Sequence, residues 1–102
     1  MSCGDFDYAG PPCEMTVYGS TLLPCMGYSE YLPAQEAERV RLNDWMRGVE
    51  GNIFDKVLDF DAAVSDVHRP ERMNMAFDSG DHLHPGPLGG LRMAECALQA
   101  FL

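Results

Sequence analysis

What this sequence has little of narrows its class before any motif is read. Basic residues are scarce: 7 Lys and Arg stand against 16 Asp and Glu, for a formal net charge of -9. So acidic a surface repels phosphate backbones and anionic headgroups, which argues against nucleic acid or an anionic membrane as the main partner. No apolar run approaches the roughly 20 residues of a membrane-spanning helix. The acidic start, Met1 to Gly10, lacks the apolar stretch of a signal peptide, so none is expected and the chain is expected to be soluble. Cys3, Cys13, Cys25 and Cys96 form no Cys-x-x-Cys pair, which speaks against a zinc ribbon or a thioredoxin-like centre. Their spacing selects no disulfide pairing.

What is present is globular in character. With 102 residues, 46% hydrophobic and 23% charged, the chain suits one small domain. Residues 1–14 combine Gly, Pro, Cys and acidic side chains and read as a loose N-terminal arm. Residues 15–102 read as the folded part. The β-branched and apolar run 15–23, stopped by Pro24, predicts a buried strand. Pro33 is placed to open a helix. Leu42, Trp45, Met46 and Val49 follow at helical spacing and predict its core face, with Glu36, Glu38, Arg39 and Arg41 largely off it. Residues 56–60 predict a second strand, 62–67 a helical turn, and 68–80 a long loop. Pro87 opens a last helix with Leu88, Leu91, Leu98 and Phe101 on an apolar face. Two strands separated by a helix favour a parallel pair in an α/β sheet. Two strands are also too few to cover both helices, so a monomer of marginal stability, or self-association through the open strand edge, is expected.

The chemistry concentrates in Asp81-His82-Leu83-His84-Pro85. A turn can bring a carboxylate at position i onto the ring of a histidine at i+3, fixing its tautomer so that it serves as a general base toward a hydroxyl. His82, between them, reads as a solvent-facing loop residue. Asp59 and Asp61 read as caps of the next helical turn rather than catalysts, and Asp78 as a brace of the loop. A second reading of the region is a metal module drawing on His68, Asp78, Asp81, His82 and His84.

Four segments carry a wider resemblance. Thr21, Leu22 and Pro24 form a T-L-x-P strand end. Arg39, Asn43, Trp45 and Met46 form an R-x-x-x-N-x-W-[IM] helix. Phe54, Asp55, Val57, Asp59, Phe60 and Asp61 form an F-D-x-V-x-D-F-D strand. Asp78, Gly80, Asp81, Leu83, His84, Pro85, Gly89, Met93 and Ala94 match D-x-G-D-x-L-H-P-x-x-x-G-x-x-x-M-A. In this order they resemble the C-terminal portion of the SGNH (GDSL-type) hydrolases, an esterase and lipase family. The resemblance implies part of a flavodoxin-like three-layer α/β fold with few parallel strands and two main helices. It implies carboxylic ester hydrolysis without a cofactor or metal, a small ester as substrate, Asp81 as the acid of a Ser-His-Asp triad and His84 as its base. The family's Gly-Asp-Ser block has no counterpart: Gly4-Asp5 is followed by Phe6. Its Gly and Asn oxyanion donors have none either. Of the serines Ser2, Ser20, Ser29, Ser65 and Ser79, none stands in the nucleophile's context. The expectation is a C-terminal fragment that is inactive alone.

Overall fold

A computed structural model describes residues 15–102. The expected arm, with Cys3 and Cys13, lies outside the described residues. Along the chain run β1 (Tyr18–Ser20), α1 (Pro33–Gly48), β2 (Lys56–Leu58), α2 (Phe60–Val64) and α3 (Pro87–Ala100). This is a small α/β unit, and its two strands pair in parallel as the intervening helix predicted. Tyr18 lies opposite Lys56, Gly19 opposite Val57 and Ser20 opposite Leu58. Backbone bonds from Asp55 N to Val17 O (2.8 Å) and from Thr21 N to Leu58 O (3.1 Å) extend the ladder at both ends. The strands are shorter than the apolar runs that predicted them. The second run ends at Asp59, whose carboxylate accepts from Ala62 N and caps α2. The helical turn consequently starts at Phe60, not Ala62.

α1 begins at Pro33, with Gln35 Oε1 accepting the Leu32 N–H at 2.7 Å. The structure corrects the predicted core face of this helix. Trp45 is 50% exposed and Leu42 49% exposed, whereas Arg39 and Asn43 are buried. Trp45 retains an edge-on contact with Phe54 at 6.4 Å. The physical reason lies in the strand end. Past Ser20 the backbone of Leu22 leaves the ladder, and its polar groups need partners. Asn43 supplies both, accepting from Leu22 N at 2.7 Å and donating to Leu22 O at 2.9 Å. Arg39 and Arg47, one turn to either side, reach Asp61 in the first turn of α2 and Asp59 just past β2. Gly19 permits the approach of α1 to the sheet: a Cβ there would stand 2.6 Å from Met46 Cε and 3.0 Å from the Phe54 ring.

Val64 and Met73 are the buried hydrophobic side chains among the described residues, and Pro24 is also fully covered. Val64 O accepts from Asn74 N at 2.8 Å, which ties the long loop 65–78 over the end of α2. α3 packs on α2 and β2. Its close contact is at buried Gly89, where a Cβ would meet Phe77 O at 2.4 Å and Pro85 Cβ at 2.9 Å. The predicted apolar face of α3 is turned outward, with Leu88, Leu91, Leu98 and Phe101 all more than half exposed. Phe101 stacks on Tyr18 at 5.1 Å.

Candidate active site

The segment from Asp78 to Gly86 leads into α3 and is closed on itself. Ser79 N donates to His84 O at 3.0 Å, and Gly86 N donates to Phe77 O at 2.7 Å. Within this closure two Asp–His pairs form side by side. Asp81 Oδ2 lies 2.6 Å from His84 Nδ1, while Oδ1 accepts from the backbone of Leu83 (2.9 Å) and of His84 (2.8 Å). Asp78 Oδ2 lies 2.7 Å from His82 Nδ1, and its Oδ1 accepts from the backbone of Gly80 and His82. The turn requires a left-handed backbone at Gly80 (φ 117°) and at His82 (φ 65°). That reversal puts the two imidazoles with different carboxylates.

The predicted site residues thus come together as Asp81 with His84. His82, expected to face solvent from the loop, is half-exposed and also bonded. It is pinned by Asp78, whose side chain is 7% exposed, and its ring stands against Gly27, where a Cβ would lie 3.2 Å from the imidazole Cγ. Asp78 is the loop brace. His82 and His84 each take their own aspartate, and among the described residues no three His, Cys, Asp or Glu side chains converge, so the metal reading loses its ligand set.

Electrostatics fix the direction of the bond between Asp81 and His84. The hydrogen bond from His84, joined by the backbone N–H groups of His84 and Leu83, holds the Asp81 carboxyl well below its ordinary range. An ionised carboxylate only accepts, so the contact places a hydrogen on His84 Nδ1 and, in the neutral ring, leaves a lone pair on Nε2. Ser79 does not compete as a nucleophile, since its hydroxyl donates to Asp81 Oδ1 at 3.1 Å.

His84 opens onto a cleft of about 470 Å³. Leu22, Leu23, Leu83 and Pro85 form its apolar walls, and Cys25, Tyr31 and Arg39 complete it. Arg39 is 6% exposed and is held by two carboxylates: Nε and Nη2 donate to Glu36, and Nη1 donates to Asp61 at 2.7 Å. Burial pushes the Glu36 carboxyl up, but the hydrogen bonds from Arg39 and Tyr31 outweigh it and set it below its ordinary value. Burial pushes the Cys25 thiol up, keeping it protonated at neutral pH. Cys25 and Cys96 are both free thiols. Sequence reasoning missed this cleft. Its signal was the pair of apolar residues flanking His84 and the Leu of the T-L-x-P segment, which periodicity alone assigns to a strand.

Neither a family model nor a curated protein matches the sequence. No helix among the described residues is long and apolar enough to cross a membrane.

Proposed function

We propose that the chain is the C-terminal part of an SGNH (GDSL-type) hydrolase domain, and that it carries the acid–base half of a carboxylic ester hydrolase. In this reading His84 Nε2 takes the proton of an attacking hydroxyl and returns it to the leaving alkoxide, while Asp81 holds the ring and balances the imidazolium. The observation that supports it most is the 2.6 Å contact between Asp81 and His84 beside an apolar cleft. The four ordered motif segments support the family reading. The serine and the oxyanion donors have no counterpart within these residues, and most of a triad's power is lost with any one member. The chain alone should therefore show little or no hydrolysis of p-nitrophenyl butyrate, and a serine-directed fluorophosphonate should not label it stoichiometrically. Labelling of Ser20 or Ser79 that disappears in His84→Ala would overturn the assignment of the nucleophile to another segment.

A second reading is a non-enzymatic, self-associating fragment. The outward apolar face of α3, with Leu91 63% and Leu98 62% exposed, favours it. The two readings are compatible in one molecule, and sedimentation tests the second.

A further inference from the structure

The Asp78–Gly86 loop divides its backbone amides between two carboxylates. Asp78 Oδ1 accepts from Gly80 N at 2.8 Å and His82 N at 3.1 Å, whereas Asp81 Oδ1 accepts from Leu83 N and His84 N. The handover falls between residues 82 and 83. Successive amides turn to different carboxylates there because His82 has a left-handed backbone, φ 65°. Glycine visits that region freely, but a histidine does so at a cost. The His82 side chain offsets this cost. Its Nδ1 lies 2.7 Å from Oδ2 of Asp78, a carboxylate only 7% exposed. Burial pushes the Asp78 carboxyl up, but the bonds from Gly80 and His82 outweigh it and hold it below its ordinary value. The ionised group only accepts, so His82 Nδ1 donates. The ring also rests against Gly27, itself at φ 109°, two residues past Cys25 of the cleft wall. His82 thus joins the loop that carries His84 to a segment lining the same cleft.

We propose that His82, clamped by Asp78, is a positioning residue for His84. It fixes the left-handed turn at which the loop passes from one carboxylate to the other. That turn presents the amides of Leu83 and His84 to Asp81, and so holds the 2.6 Å contact between Asp81 Oδ2 and His84 Nδ1. The His84 pair needs such support, because its side chains are 71% and 44% exposed and water competes for their hydrogen bond. The clamp beside it has one partner almost wholly covered, where a hydrogen bond is stronger and its loss costs more. In this role His82 acts through His84 and not on a substrate. The inference rests on the reading of His84 as a base only for the use to which its orientation is put.

The test is the 15N spectrum of the His84 ring in the full chain, read at a pH where the ring is neutral, in variants of His82. Trp45 fluorescence checks that each variant is folded. His82→Ala removes the clamp and disfavours the left-handed backbone. It should lower the ratio of Nδ1–H to Nε2–H forms of His84 by about tenfold, the scale of one charge-assisted hydrogen bond. His82→Asn should restore the wild-type ratio, because asparagine tolerates this backbone and its Nδ2 stands where the imidazole Nδ1 does. His82→Gly permits the turn but lacks the donor, and should fall between them. Asp78→Ala should match His82→Ala, with no further loss in the double variant, since the two groups form one clamp. An unchanged ratio in folded His82→Ala would overturn the proposal, as would an asparagine variant no better than alanine. If His82→Ala does not fold, His82→Gly against His82→Asn decides, and equal ratios overturn it. An unchanged ratio leaves the functional reading standing. A clamp that sets the ratio in a chain whose His84 has no part in ester chemistry would overturn the functional reading alone.

Discussion

At the scale of single residues, the site depends on small groups as much as on the Asp–His pair. Gly89 is the clearest case. Alanine ordinarily stabilises a helix by about 0.5–1 kcal/mol over glycine. Here its Cβ would sit 2.4 Å from Phe77 O, and this carbonyl also closes the Asp78–Gly86 loop by accepting from Gly86 N. Gly89→Ala should therefore destabilise the fold by about 1–3 kcal/mol, the range for an overpacked site. It should also displace the loop, seen as shifted His84 ring signals. A stabilised variant with unmoved His84 signals would contradict this packing. Asp81, His84 and the brace Asp78 were legible because an i, i+3 carboxylate and histidine need only a turn to meet. The tie of His82 to Asp78 was not legible: it depends on the left-handed backbone at His82, and no spacing rule selects that.

At the scale of elements, α1 is held to the sheet by polar contacts more than by its apolar side chains. Arg39, Asn43 and Arg47, at i, i+4 and i+8, grip the Leu22 backbone, Asp59 and Asp61. Sequence pattern assigned the buried face to Leu42 and Trp45, because periodicity records apolar spacing and is blind to a backbone that needs partners. Removing Arg39 leaves the mostly covered Glu36 with only the Tyr31 hydroxyl and Asp61 with only Arg47, so Arg39→Ala should cost about 3 kcal/mol. Arg41→Ala, at the exposed pair with Glu38, should cost under about 1 kcal/mol. Acid should act through the same contacts. Hydrogen bonds from Arg47, against burial, hold Asp59 below its ordinary value, and Arg39 with Tyr31 does the same for Glu36. A depressed folded-state pKa adds stability that is complete above the unfolded value near 4 and is lost as pH falls through the folded one. Trp45 fluorescence should thus report loosening of α1 below about pH 4 and not between pH 5 and 8. Loosening in the upper window would contradict the ion-pair attachment.

At the scale of the whole molecule, the sheet is too small for the helices it carries. Val64 and Met73 are buried, while Leu88, Leu91, Leu98 and Phe101 form an outward row on α3. The parallel pair and the helix order were legible from the alternation of apolar runs. Which face of α3 would be covered was not, because its period is the same whether or not a partner exists. Sedimentation across a concentration series should show association that strengthens with added salt, as the repulsion of a -9 chain is screened. Leu91→Glu or Leu98→Glu should weaken it. A monodisperse monomer at high concentration would show that the chain covers its own apolar surface. The chemistry proposed for this molecule turns on which nitrogen of one histidine carries the hydrogen. The direct test is the 15N spectrum of the His84 ring in the intact chain at a pH where the ring is neutral. The account predicts Nδ1–H bonded to Asp81 with a bare Nε2, and loss of that preference in Asp81→Asn. A neutral His84 that carries its hydrogen on Nε2 could not accept a proton there, and would contradict its role as a general base.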